Sequence, residues 1–200
     1  MHEVDLNRVS VPLRWSELFA NEAPTDVEIG SGKGKFLLEL AQSRPDRNLV
    51  GVERAGKYHT MCCQRAARRG LANVRLIRTT AEDLLFRLLA PATVANLYVL
   101  FPDPWPKKRH HKRRLFTADV VGAMRDCLAV GGRLQVKSDH DGYAAVIREV
   151  LSHAQGLQWI SADDAFRDLP HSGFEHKYRT AGRTIHAFAL ERQPTGGPGA

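Results

Sequence analysis

The stretch VEIGSGKGKF, residues 27–36, runs from an apolar segment into three alternating glycines, Gly30, Gly32 and Gly34, and then into KFLLELAQSRP, a segment of helical composition closed by Pro45. Glycines after a strand admit positive φ and let a ligand approach the backbone closely, while the next helix opens with unpaired N–H groups. Working outward from this turn, the chain alternates. DVEIG (26–30), NLVGVE (48–53), NVRLIRT (73–79), VANLYVLF (94–101) and GRLQVKSD (132–139) read as strands. Between them lie helix formers over 55–69, a short helix near 82–89 and helical spacing at Val120, Val121, Met124, Cys127 and Leu128. DGYAAVIREVLSHA has the best periodicity, with Tyr143, Val146, Ile147, Val150 and Leu151 on one face. LQWIS (157–161) and RTIHAFALER (183–192) follow with no helix of useful length between them, and are expected to form an antiparallel, hairpin-like end. The alternation implies an α/β fold, a parallel sheet covered by helices on both faces. Ligands in such sheets sit beyond the carboxyl ends of the strands, where the strand order reverses.

The 200 residues fit a single domain over 1–192, with an N-terminal arm over 1–20 and a tail, 193–200, whose QPTGGPGA composition reads as disordered. A hydrophobic content of 43% and a charged content of 26% are ordinary for a soluble protein. The net charge of +7 is not, and it favours a polyanionic partner. Without the six Lys/Arg of residues 107–114 the remainder carries +1, so the basic character is local. Three cysteines, adjacent Cys62 and Cys63 with Cys127 far away, match neither a disulfide framework nor a metal spacing and read as buried or half-buried thiols. No His/Cys cluster suggests zinc, and no metal is expected. Nothing resembles a signal peptide or a membrane span, so a cytoplasmic protein with no membrane partner is expected.

A dinucleotide fingerprint starting at Gly30 needs glycine at position 35, where Lys35 stands. Glu53 ends the second strand about 20 residues on, where an acid can accept hydrogen bonds from both ribose hydroxyls of a nucleoside. Its plainer reading is a surface pair with Arg54 or Lys57. Taken with Glu28 and the three glycines, it favours a nucleoside cofactor.

After the fourth strand comes FPDPWPKKRHHKRRLF, residues 101–116. Pro102, Pro104 and Pro106 fix φ at three positions, so this turn is stiff and holds Asp103 at the mouth of the expected pocket with Trp105 beside it. The basic run continues outward from there, as a nucleic-acid backbone requires.

VEIGSGKGKF, VGVER, FPDPWPKKRHHKRRL, VKSDHDGY and SGFEHKYRTAGRTIHAFALER, in this order and spacing, resemble the bacterial tRNA (guanine-N7-)-methyltransferase family from about Trp15 to Arg192. The proline-rich stretch is the most specific of them; the acid-x-G-x-G-x-G turn is shared with S-adenosylmethionine-dependent methyltransferases at large. The resemblance implies a Rossmann-like class I methyltransferase fold, a seven-stranded, mostly parallel sheet with an antiparallel C-terminal strand. It implies S-adenosyl-L-methionine as cofactor and tRNA as partner, with methylation of a guanosine in the variable loop. By the same resemblance Glu28, Gly30, Gly32, Gly34, Glu53, Thr80 and Asp103 line the cofactor site, and Asp103 is also the catalytic residue. Lys107, Asp139 and the tetrad Ser172, Gly173, Phe174, Glu175 contact substrate, and Arg109, His110, His111, Lys112, Arg113 and Arg114 contact RNA. Two residues depart from the pattern: Thr80 stands where the family has an acid before Ala81, and Ser172 replaces a threonine. The arm before the first strand is also shorter. Altered cofactor or tRNA affinity is expected from these before lost activity.

Plainer roles stand beside several of these. Asp139 and Asp141 could cap the following helix, Glu175 and Lys177 could be a surface pair on a loop, His110 and His111 could be solvated, and Trp159 and Phe188 are simplest as core. Three other functions stay open: an NAD-linked oxidoreductase, a non-catalytic RNA-binding module, and a methyltransferase acting on another RNA or on protein. If about four side chains of the strip neutralise phosphates, log K falls with log salt at a slope of roughly −3, and Arg113→Ala with Arg114→Ala flattens it. The sequence selects no protein partner.

Overall fold

The computed structural model describes residues 2–194. Seven strands, β1 (Thr25–Ile29), β2 (Asn48–Val52), β3 (Val74–Ile77), β4 (Val94–Leu100), β5 (Leu128–Ser138), β6 (Leu157–Trp159) and β7 (His186–Arg192), form one sheet in the order β3-β2-β1-β4-β5-β7-β6. All neighbours are parallel except β7, which runs antiparallel to both β5 and β6. The chain leaves β1 for β2 and β3 on one side and returns to β4 on the other, so the order reverses between β1 and β4.

The helices are α1 (Trp15–Phe19), α2 (Lys35–Ser43), α3 (Gly56–Arg68), α4 (Ala81–Asp83, running into a π-helical segment Leu84–Leu88), α5 (Ala118–Cys127), α6 (Asp141–Ser152), α7 (Ala162–Phe166) and α8 (Gly173–Thr180). Strand side chains alternate between two apolar layers. Val27, Ile29, Leu97 and Val99 join Leu84, Leu88, Met124 and Ile147 on one face. Tyr98 and Leu100 join Phe36, Leu37, Leu40, Cys62 and Ala66 on the other. Burial on both faces is why the central strands read as near-continuous apolar runs. In β1, buried Asp26 is satisfied, accepting from Arg47 at 2.6 and 2.8 Å and from Asn96 at 2.8 Å.

The N-terminal arm covers the free edge of β3. Val4 N–H donates to the Leu76 carbonyl at 2.9 Å, and Leu76 N–H to that of His2 at 2.7 Å. An exposed strand edge is thereby removed. The tail expected to be disordered lies, from residue 195 on, outside the described residues.

The structure departs from the sequence reading at the C-terminal end. β6 and β7 are antiparallel as expected, but helices α7 and α8 stand between them, so they are no simple hairpin. β5 starts at Leu128 rather than 132 and kinks at Gly131 and Gly132, its pairing slipping from Val94↔Leu128 to Asn96↔Arg133. Trp159, expected in the core, is 40% exposed on the edge strand β6, edge-to-face with the buried Phe188.

Candidate active site

At the carboxyl end of β1 the backbone turns through Gly30 (φ 80°), Gly32 (φ 53°) and Gly34 (φ 78°). Side chains rarely adopt this conformation. A Cβ on Gly34 would lie 2.3 Å from Cys62 Sγ, so this position also needs glycine for the packing of α2 on α3. Glu53, just beyond β2, does not pair with Arg54 or Lys57. Its carboxylate accepts from Gly32 N–H at 2.9 Å and Ala55 N–H at 2.7 Å, and so ties the glycine turn to the start of α3. Both oxygens keep lone pairs for further donors.

Glu28 lies beneath this turn, 4% exposed, opposite Gly51 of β2 and Tyr98 of β4. Its Oε2 is buried without a hydrogen-bond partner, and so is Ser31 Oγ. Burial, opposed by a backbone hydrogen bond from Leu37 and aided by Glu53, pushes the Glu28 carboxyl up to about 8. Orphaned buried acceptors are rare and point to a missing partner. Two carboxylates, a free hydroxyl and an open glycine turn therefore fit a cationic nucleoside such as S-adenosylmethionine. Thr80, at the end of the neighbouring β3, spends its hydroxyl as the N-cap of α4, accepting from Asp83 N–H at 3.1 Å.

The proline-rich loop leaves β4 on the other side of the strand-order reversal. Phe101 (φ 58°) and Trp105 (φ 42°) hold left-handed backbone conformations either side of exposed Asp103. Such conformations cost on the order of 1–3 kcal/mol each and persist only where the surroundings impose them. Here the restraints are visible: Phe101 N–H donates to the Lys137 carbonyl at 2.8 Å, and Arg114 Nε donates to the Pro104 carbonyl at 2.9 Å while its guanidinium lies over Tyr143. The basic run Lys108–Arg113 is a 3-10 helix, in which side chains three apart share a face. His110 and Arg113 both pack on the Trp105 ring. Lys107, Lys108, Arg109, His111 and Lys112 are exposed, as is Arg113 despite its place over Trp105. Arg113 and Arg114 thus brace the loop, so their removal would move Asp103 as well as reduce charge.

Helix α8 closes the site from the C-terminal side. Ser172 caps it, its hydroxyl accepting from Glu175 N–H at 3.0 Å, and Glu175 is 1% exposed. Buried Lys137 of β5 donates to both Glu175 oxygens at 2.9 Å, Arg179 adds a bond at 2.9 Å and His171 lies 3.1 Å away. Burial pushes the Glu175 carboxyl up, but the bonds from Lys137 and Arg179 outweigh it and hold it below the usual range. Burial also lowers the Lys137 ammonium, against the pull of Glu175. Asp139 is paired with Arg183 at 2.6 Å and Asp141 with His186 at 2.7 Å. Neither caps α6; the cap is His140, whose Nδ1 accepts from Tyr143 N–H at 3.2 Å. Likewise Glu175 is no surface partner of Lys177.

Sequence reasoning passed over Lys137, His171, Tyr178, Arg179 and Arg183. The one signal for them was a lysine, Lys137, near the end of a strand.

A family model described as putative methyltransferase matches residues 22–188. A tRNA (guanine-N(7)-)-methyltransferase of Mycolicibacterium paratuberculosis is 38% identical over 194 residues, covering 94% of this chain and 74% of that one. One from Geobacillus kaustophilus is 34% identical over 185 residues, covering 90% and 85%. The chain belongs to the tRNA (guanine-N7-)-methyltransferase family. It is by that membership an S-adenosylmethionine-dependent methyltransferase. Among solved structures, a variant of the 16S rRNA (adenine(1408)-N(1))-methyltransferase from Catenulisporales acidiphilia with cosubstrate SAM superimposes with a TM-score of 0.60 at 20% identity, covering 92% of each chain, and so shares the Rossmann-like fold. Among the described residues no group of three or more His, Cys, Asp or Glu is placed to hold a metal ion, and no helix is long and apolar enough to cross a membrane.

Proposed function

We propose that this chain methylates N7 of a guanosine in tRNA, in the variable loop, and that residues 1–192 act as one cytoplasmic catalytic domain. The observation that carries the reading is the placement of Asp103 on a braced, strained turn between the glycine turn and an outward strip of cations. Bound against the glycine turn, S-adenosylmethionine supplies an electrophilic methyl group. Glu28 and Glu53 with the three glycines hold it, Thr80 borders it with its hydroxyl committed to the cap of α4, and Asp103 faces both it and the guanine. Guanine N7 carries a lone pair and no proton, so the chain needs no general base. Its work is alignment, which can supply about 7–11 kcal/mol, and electrostatic support for the cation formed at N7. Lys107 and Asp139 reach the substrate, and α8, which the tetrad Ser172–Glu175 starts, borders it through its exposed face. The test is methyl transfer from labelled S-adenosylmethionine to unmodified tRNA, with mass spectrometry of the digested nucleosides. 7-Methylguanosine is expected; cofactor binding with no such product would send the search to another acceptor.

Glu28 supplies a pH signature. With its carboxyl raised to about 8 against an ordinary 4.5, the free protein holds a proton there at pH 7. The folded state binds that proton more tightly than the unfolded one, so this group lowers stability as pH rises through that window. A cationic cofactor favours the ionised form. Its affinity should rise about tenfold per pH unit between pH 6 and 8 and level off above, with proton uptake by buffer in calorimetry. Glu28→Gln should abolish the slope; an unchanged slope would remove Glu28 from the site.

The strip has its own test. Lys108→Ala, Arg109→Ala and Lys112→Ala together should flatten the salt dependence of tRNA binding by about 2 from a slope of roughly −3, leaving cofactor affinity unchanged. These residues replace Arg113 and Arg114 as the test because both of those brace the loop.

A further inference from the structure

Of the four residues Ser172–Glu175, two are buried and bonded within the protein. Ser172 is buried with its hydroxyl on Glu175 N–H, and Glu175 is buried with its carboxylate on Lys137, Arg179 and His171. Phe174 between them is 53% exposed. Its ring stacks on Tyr178 one helical turn on, at 6.0 Å and 22° between planes, and both approach Phe101, at 6.5 and 5.4 Å. Phe101 stands two residues before Asp103 and holds the left-handed conformation that starts the loop. At the other end, a Cβ on Gly173 would lie 3.8 Å from Lys35 Cδ, so the start of α8 adjoins the first residue of α2, where the glycine turn ends. Phe174 therefore sits between the cofactor turn and the Asp103 loop. Cations gather on the same cluster: Arg183 lies 4.9 Å and Lys177 5.9 Å from the Tyr178 ring centre.

A half-exposed phenylalanine on a polar helix costs solubility and has no apolar neighbour to cover its outer face. An aromatic face flanked by cations, beside a methyl-transfer site, matches the way unpaired nucleobases are gripped, by stacking with backbone neutralisation around it. We infer that the Phe174 ring is a stacking platform for the target purine, with Tyr178 and Phe101 fixing its orientation and Glu175 acting only as the buried anchor that positions α8. The inference rests on the proposed tRNA reading and assigns that site's base contact.

The experiment is steady-state methylation of unmodified tRNA by full-length Phe174→Ala, Phe174→Leu and Phe174→Trp, with S-adenosylhomocysteine affinity and thermal unfolding measured alongside. Phe174→Ala should lose about 5- to 150-fold in kcat/KM for tRNA, the range for one stacked base, mostly through KM. Phe174→Leu should be similarly impaired, Phe174→Trp should restore most of the loss, and cofactor affinity should not move. Phe174→Leu with wild-type kinetics would make the ring a mere apolar cover and overturn the inference. So would an Ala variant whose loss is matched by lost cofactor affinity. If the wild-type chain makes no 7-methylguanosine, it is the functional reading that fails; product from wild type with an undiminished Ala variant fails the stacking inference alone.

Discussion

Asp103→Ala should lower kcat for 7-methylguanosine formation by about 100- to 1000-fold at saturating tRNA and cofactor, the usual loss when one preorganised electrostatic group is removed from a reacting centre. The substitution leaves the fold intact, because Asp103 is exposed and the turn around it is held by other groups: the three prolines, Phe101 N–H on Lys137 and Arg114 on Pro104. Thermal unfolding should therefore stay near the wild-type value while turnover collapses. Asp103→Asn, which keeps the shape and an acceptor but loses the charge, separates the two contributions. Activity close to wild type in Asp103→Asn would assign the residue to orientation, and loss equal to that of Asp103→Ala would assign it to charge. Full turnover in Asp103→Ala would remove it from the chemistry altogether.

The second large effect concerns stability. Glu175→Ala leaves Lys137, with a side chain 8% exposed, buried without a counter-charge. Breaking one partner of such a pair costs about 3–5 kcal/mol, which for a chain of this length lowers the unfolding temperature by on the order of 10 °C. Lys137→Met should cost less, since Glu175 keeps Arg179 and His171. Lys137→Met combined with Glu175→Leu should recover much of the single-variant loss, because the desolvation of both charges is removed together. A double variant as unstable as Glu175→Ala would mean that the pair contributes geometry rather than charge compensation. The carboxyl of Glu175 lies below its ordinary 4.5, so its contribution is complete above that pH and is lost as the pH falls through the depressed value.

The contrast between Asp103 and Glu175 shows what could be read from residue order. Asp103 lies among local signals: an apolar strand ends, prolines fix the turn, a basic run follows. Glu175 lies in a segment, HSGFEHKYRTAGR, with no apolar periodicity at all, and the one local helix signal there is the Ser172-x-x-Glu175 spacing of an N-terminal cap. Helix α8 forms because a serine caps it, because a lysine 38 residues earlier in the chain neutralises its buried acid, and because its aromatic residues find Phe101. Lys137 lies on β5 and Phe101 directly follows β4, so beyond its cap the helix depends on the assembled sheet. The basic strip divides the same way. Its charge was legible, yet which cations face solvent follows from the three-residue turn of a 3-10 helix wrapped on Trp105.

Residue order by itself determined the strand and helix alternation, the glycine turn with Glu53 a strand later, and the braced acid before the basic run, because each is written in neighbouring residues through period, φ preference and charge. Only the tertiary structure decided that Glu28 is buried with an unpartnered oxygen, that Arg113 lies over Trp105 and Arg114 bonds Pro104, and that Ser172 and Glu175 anchor a helix whose exposed ring is Phe174. Burial and hydrogen-bond commitment depend on partners distant in the chain, and sequence spacing carries no record of which acceptors those partners have already taken.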